Sequence, residues 1–167
     1  MTLPSRCVVD ANIIFDFACG GLLDSLFAAG MVLVTTDLVA EELCEPPRLV
    51  VETLGLRVES LSERQMLELQ ALAGRLRQTS QKDRSAYVLA RSLGLVLLTG
   101  DAELRACAEA DGVEVHGTLY LLDALVATHL VEPARAAEAL RTMRSSGSWL
   151  PSAECKARLR KWGEERR

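Results

Sequence analysis

Aromatic residues are scarce, at 4% of the 167 residues. A core without them has to be filled by Leu, Val and Ala, which suits alternating helices and strands better than a β-sandwich. Histidine occurs only twice, as His116 and His129, and neither lies in a motif that would make it a general base. The five cysteines, Cys7, Cys19, Cys44, Cys107 and Cys155, are odd in number and contain no C-x-x-C pair. That argues against a disulfide framework or a structural zinc site and predicts buried free thiols in a reducing cytoplasm. With no apolar run of about 18 residues and no basic-then-apolar leader, neither membrane spanning nor export is expected. G-x-G-x-x-G and P-loop sequences are absent, which removes the main support for a nucleotide-binding domain. No lysine follows the apolar runs 95–98 or 113–115, as a phosphoryl-receiving domain would want. Basic excess is missing too: the formal net charge is −4. This argues against a protein that wraps nucleic acid over a wide surface.

Apolar residues make up 49% of the chain, well above the range of disorder. The length predicts one domain spanning residues 1–167. Short apolar runs at Cys7–Val9, Met31–Thr35, Leu95–Leu98 and Val113–Val115, with a weaker one at Leu56–Val58, read as strands covered on both faces. Helical spacing links Met66, Leu69, Leu72 and Leu76, and Ser62 with Gln65 forms a capping box that opens a helix over 62–78. Gly94 and Gly112 stand where a helix-ending glycine is expected. Strand–helix alternation implies an α/β fold with a mainly parallel sheet. After Val115 the pattern is helical, with Pro133 and Pro151 near helix starts and the best loop candidate at 145–148. Cys155, Leu159 and Trp162 form one apolar stripe on the last helix. The basic tail carries Lys156, Arg158, Arg160, Lys161, Arg166 and Arg167 against Glu164 and Glu165, and is either a phosphate contact or a solvated helix end.

The acids are placed more tellingly than the cations. Asp10 directly follows the first strand, and Asp101 follows the run 95–98. Open α/β sheets bind ligands beyond the carboxyl ends of their strands, where the strand order reverses. Glu42 comes one to two helical turns after the second strand, and Asp83 opens the helix that feeds the run 95–98. All four can reach one rim. Clustered carboxylates raise one another's pKa, and a hard divalent cation relieves the repulsion. Oxygen donors of this kind suit Mg²⁺ or Mn²⁺, which activate water and stabilise charge on a phosphate. Each acid also has a plainer reading. Asp10 and Asp101 are placed to cap helices, Ser80 and Asp83 can form a capping box, and Glu41 and Glu42 can be solvated surface acids. Asn12 and Thr99 accompany the first and last acids, either to orient them or to bond local backbone.

Read in order, these segments resemble the motifs of the PIN-domain family. Val8-Val9-Asp10-Ala11-Asn12 resembles its opening D-x-N, and residues 36–43 resemble its Glu-Leu helix, with Glu42 before Leu43 and Glu41 as the alternative. Asp83 to Ala90 is similar to the third motif, and Leu97-Leu98-Thr99-Gly100-Asp101-Ala102-Glu103-Leu104 closely resembles the fourth. Residues 106–122 match the usual sequel of an Ala-rich helix, a short strand and a Gly-Thr turn. The tail, from residue 119 on, resembles the helical C-terminal extension of one PIN subfamily; the ribonuclease toxins of toxin–antitoxin pairs are better-known relatives. The resemblance implies a three-layer α/β/α sandwich and a Mg²⁺- or Mn²⁺-dependent ribonuclease. It also implies frequent homodimers, and often an antitoxin that blocks the pocket. On it, Asp10 and Asp101 hold the metal, while Glu42 and Asp83 complete the shell or position the attacking water. A PIN fold that binds RNA or a protein partner without cutting is the rival expectation.

Overall fold

In the computed structural model, which describes residues 3–164, the apolar runs become five strands. They are β1 (Arg6–Val9), β2 (Val32–Thr36), β3 (Arg57–Glu59), β4 (Val96–Leu98) and β5 (Val115–His116). All pair in parallel, in the order β3-β2-β1-β4-β5. Strand β1 is central, and Cys7, Val8 and Val9 are buried on both faces, as continuous apolar runs require. The chain steps outward from β1 through β2 to β3, then returns to the other side of β1 for β4 and β5. Strand order therefore reverses between β1 and β4, and a crevice opens beyond their carboxyl ends.

Helices cover both faces of the sheet, as in the expected sandwich. They are α1 (Ala11–Cys19), α2 (Leu23–Phe27), α3 (Asp37–Ala40), α4 (Arg48–Leu54), α5 (Glu63–Leu72), α6 (Gln81–Leu93) and α7 (Ala102–Ala110), followed by α8 (Thr118–Ala127), α9 (Pro133–Ser145) and α10 (Ser152–Glu164). The Ser62–Gln65 capping box forms as expected. Helix α5 ends at Leu72, short of residue 78, because Ala73 and Gly74 enter a turn. Leu76 is still buried there, since its N–H donates back to the Leu72 carbonyl at 2.9 Å. Gly94 ends α6 at φ 63° and Gly112 follows α7 at φ 78°, left-handed conformations in which a side chain would be strained. Strand β5 starts at Val115, later than the apolar pattern predicts, because the Val113 N–H still closes the end of α7 on the Ala108 carbonyl.

Beyond β5 the described chain is helical. Helix α8 buries Leu119, Leu121, Leu122 and Leu125, and α9 turns Ala136, Ala139, Leu140 and Met143 inward against the rest of the core. Gly20 lets α9 approach α1, because a Cβ there would lie 2.6 Å from the Met143 methyl. On α10, Cys155 and Trp162 are buried and Leu159 packs beside them, as the stripe predicts. Arg158 is tied to Asp123 at 2.6 Å and to Glu154 at 3.3 Å, whereas Lys156, Arg160 and Lys161 are exposed. Glu165, Arg166 and Arg167 of the basic tail lie outside the described residues. All five cysteines are free, but Cys19 and Cys44 are exposed, unlike the buried thiols expected. No helix among the described residues is long and apolar enough to cross a membrane.

The indole of Trp162 is 1% exposed, and its N–H finds no acceptor. Trp162→Ala is expected to lower stability by about 3–5 kcal/mol through the cavity it leaves. Trp162→Phe should cost much less, because it also removes an unsatisfied donor. Urea unfolding of the two variants checks the ranking; equal losses would contradict this account of the α10 contact.

Candidate active site

The reversal between β1 and β4 brings two chain segments 89 residues apart into one hydrogen-bonded unit. Asp10 leaves the end of β1, where its N–H donates to the Leu98 carbonyl of β4 at 3.1 Å. It also caps α1, with Oδ1 accepting from the Ile13 N–H at 3.0 Å. Its other oxygen, Oδ2, accepts from the Thr99 hydroxyl at 2.5 Å. The same hydroxyl oxygen accepts from the Asp101 N–H at 3.1 Å. Thr99 thus spans the two acids and is completely buried. Asp101 caps α7 through Oδ1, which accepts from the Leu104 N–H at 2.8 Å, and its Oδ2 takes no hydrogen bond among the described residues. The capping readings of Asp10 and Asp101 are both correct, and capping uses one oxygen of each carboxylate.

Arg105, on the second turn of α7, fixes this corner from below. Its guanidinium donates to the Thr99 carbonyl at 3.2 Å and to the Val115 carbonyl at 3.1 Å. The approach needs Gly117, where a Cβ would meet the guanidinium at 3.1 Å and the Thr99 carbonyl at 3.4 Å.

Asp83 lies in the first turn of α6. Ser80 caps that helix by accepting from the Asp83 N–H at 3.0 Å, and its hydroxyl donates to Asp83 Oδ2 at 2.7 Å. Helix α6 is itself held to the end of β2 by the buried contact between the Ser85 and Thr36 hydroxyls at 2.6 Å. The charge of Asp83 reaches Asp10, and that of Asp101 reaches Asp83. Burial pushes Asp10 up to about 7; the negative charge of Asp83 adds to the rise, and bonds from Thr99 and Ile13 hold it down. Burial also raises Asp83, with Ser80 opposing and the charge of Asp101 reinforcing the shift.

Glu42 stands apart from these three. Helix α3 ends at Ala40, so Glu42 sits on the turn that follows rather than on the expected helix. Its carboxylate lies 3.7 Å from the Lys82 ammonium, next to Asp83 in sequence. Glu41 is exposed. Asn12 is exposed on the first turn of α1 and lines the same cleft as Thr99 and Asp101.

That cleft, of about 1550 Å³, runs from Asp101 toward the C-terminal helices. Its lining includes Asn12 and Asp16 of α1, Asp101, residues of the α9–α10 loop, and Glu154 and Arg158 of α10. Asp16 is a site residue that the sequence motifs do not single out. Its two oxygens accept from the Thr118 hydroxyl at 2.6 Å and the Ser148 hydroxyl at 2.5 Å, so one carboxylate joins α1, α8 and the α9–α10 loop. Burial raises its pKa. The one signal in the chain is a lone acid inside the apolar run Ile13 to Phe17, four residues after Asn12 and so on the same helix face.

The donors here are hard oxygens, the kind that hold Mg²⁺ or Mn²⁺. Among the described residues no group of three or more His, Cys, Asp or Glu is drawn together tightly enough to cage an ion. Mg²⁺ does not require a cage, since it keeps several waters and binds through one or two carboxylates. Asp101 keeps one oxygen without a hydrogen bond among the described residues, and Asp83 keeps one beyond that engaged by Ser80, so each can offer a donor; Asp10 is fully buried. The donor set fits such an ion.

The direction of the Asp10 shift gives a stability prediction. A carboxyl whose pKa rises from 3.8 to about 7 on folding binds its proton more tightly in the folded state. Stability of the metal-free protein is therefore lost as pH climbs from about 4 to 7, and ionised Asp10 destabilises the fold above that range. Asp10→Asn keeps a capping side chain without the charge. Thermal unfolding in chelator at pH 8 should show this variant melting a few degrees above the parent, with the gap closing at pH 4–5. A lower melting point at pH 8 would refute the picture of a burdened carboxylate.

The family described as DUF3368, a PIN domain, matches residues 6–164. No curated protein matches the sequence. PIN domains are generally nucleases and typically use divalent metals. The match covers nearly the whole chain, including all five strands and the helices that follow them, and the chain belongs to the PIN-domain family.

Proposed function

We propose that this chain is a divalent-metal-dependent endoribonuclease that hydrolyses RNA phosphodiester bonds. The observation that carries the reading is that Asp10 and Asp101 follow neighbouring strands at the strand-order reversal, joined by Thr99, whose hydroxyl donates to the Asp10 carboxylate and accepts from the Asp101 N–H, with Asp83 close enough to raise the pKa of Asp10. Helix capping alone does not require acids after neighbouring strands.

In this reading Asp101 and Asp83 hold Mg²⁺ or Mn²⁺, with Asp10 as the buried anion that anchors the set. When bound, the ion lowers the pKa of its water and offsets charge on the phosphate. Asp101 is held in place by the Leu104 N–H and points its second oxygen away from the backbone. Ser80 fixes the orientation of Asp83 by donating to its Oδ2, which leaves the other oxygen for the ion. Thr99 keeps the Asp10 carboxylate from turning, and the exposed amide of Asn12 can orient substrate or water in the cleft. Glu42 joins the site by breaking from Lys82. A toxin role in the cytoplasm, an antitoxin covering the cleft and a homodimer extend the proposal on family resemblance alone.

A second reading, a PIN fold that binds RNA or a protein without cutting, draws on two observations: Lys82 neutralises Glu42, and no cage is preassembled among the described residues. Calorimetric titration with Mn²⁺ separates the two, since a module without a metal site gives no heat of binding at millimolar ion.

Asp101→Asn should reduce RNA cleavage in Mn²⁺ by at least about 100-fold, because several kcal/mol of transition-state stabilisation depends on the ion. Unchanged turnover would sink the proposal. Lys82→Ala should tighten Mn²⁺ binding several-fold by freeing Glu42 and removing a cation beside Asp83; weaker or equal binding in the titration would mean that Glu42 stays outside the site.

A further inference from the structure

Trp149 is 97% exposed, the largest exposure among the large apolar residues described. An indole left wholly in water contributes nothing to the core, and the loop that carries it is not slack. The Ser148 N–H donates to the Met143 carbonyl at 3.1 Å, and its hydroxyl donates to Asp16 at 2.5 Å. The Leu150 N–H returns to the Ser148 carbonyl at 3.0 Å, and Leu150 packs against the core. The tryptophan therefore stands between two anchored residues, and Asp16, which lines the same cleft as Asp101, holds the first of them.

The chemistry of the cleft selects its occupant. Trp149 and the parallel pair His116–Tyr120 (ring centroids 3.6 Å apart, planes within 6°) line the space beside Asp101 with Arg105 and Arg158, whose guanidinium groups are paired with Glu109 at 3.5 Å and Asp123 at 2.6 Å. The exposed flat ring of Trp149 matches an unpaired base, which stacks on an aromatic face whatever its identity. A protein partner or a second copy of the chain would bury about 800 Å² per side, with an apolar centre. Here the apolar neighbours in the lining are Leu119, which is buried, Leu150, which is half-buried, and Pro151.

We propose that Trp149 is a base-stacking platform for single-stranded nucleic acid, held over the cleft by the Ser148–Asp16 hydrogen bond, and that it receives an unpaired base next to the phosphate presented to Asp101. This rests on the nuclease reading of the same cleft. Trp149 binds substrate, and Asp16 and Ser148 position it.

The test uses the full chain carrying Asp101→Asn in chelator, so that binding is measured without turnover, with a fluorescein-labelled single-stranded RNA oligonucleotide, the same sequence as single-stranded DNA, and its duplex. Single-stranded RNA should quench the tryptophan emission, and Trp149→Phe should abolish the quench while retaining most of the affinity. Trp149→Ala should weaken binding by about tenfold or more, the usual effect of losing one stacked base. The duplex should show no such dependence on Trp149, and equal effects with RNA and DNA would mean that the platform reads bases and not the sugar. Ser148→Ala should weaken binding several-fold with an unchanged melting temperature. In the parent protein with Mn²⁺, Trp149→Ala should raise KM and leave kcat within about twofold. Equal affinity of Trp149→Ala and its parent for the single strand overturns the platform even if cleavage is intact. A tryptophan-dependent quench without any cleavage keeps the platform and overturns the nuclease. A change in sedimentation on Trp149→Ala, without a change in RNA affinity, assigns the indole to self-association and overturns the proposal.

Discussion

A carboxylate with no exposed surface sits at the point where the sheet reverses its strand order, and the rest of the site is arranged around keeping it there. Burying an anion is costly unless it is hydrogen-bonded or it gives up its charge. Asp10 does some of both. The Thr99 hydroxyl and the Ile13 N–H support its ionised form, yet burial and the nearby charge of Asp83 still drive its pKa up to about 7. A helix cap alone would be served as well by an asparagine without that cost. Residues that burden a fold in this way are typical of functional sites.

The same arrangement separates the acids into two kinds. The charge of Asp83 bears on Asp10 and that of Asp101 on Asp83, with no cation paired to any of the three among the described residues, whereas Glu42 has one in Lys82. The difference follows from the backbone. The three aspartates stand at the starts of α1, α6 and α7, where the helix N-termini favour negative charge. Glu42 follows a single turn of helix and hangs from a turn with no such support.

The helices beyond β5 matter to the cleft as much as to the core. Their apolar faces are spent on the body of the protein, while the loop between α9 and α10 lines the same cleft as Asp101. The link is Asp16, whose two oxygens hold Thr118 and Ser148, residues 102 and 132 positions away. Helix α1 and the C-terminal helices are thus fastened by one side chain, and the shape of the cleft depends on both.

Much of this architecture is legible in the amino-acid sequence. The apolar runs mark every strand, and the four motif segments place Asp10, Asp83 and Asp101 at strand or helix ends, because periodicity and capping are local properties that neighbouring residues alone dictate. Even the misplaced boundaries have local causes, such as the turn at Gly74 that shortens α5. What the chain does not disclose is which atoms meet. That Thr99 bridges two acids, that Lys82 claims Glu42, that Asp16 clasps a loop from the far end of the sequence and that Trp149 is left in water all depend on contacts between distant segments. Those contacts exist only once β4 has docked beside β1 and the terminal helices have packed, since through-space distance, not spacing along the chain, sets the energy of a hydrogen bond or a charge pair.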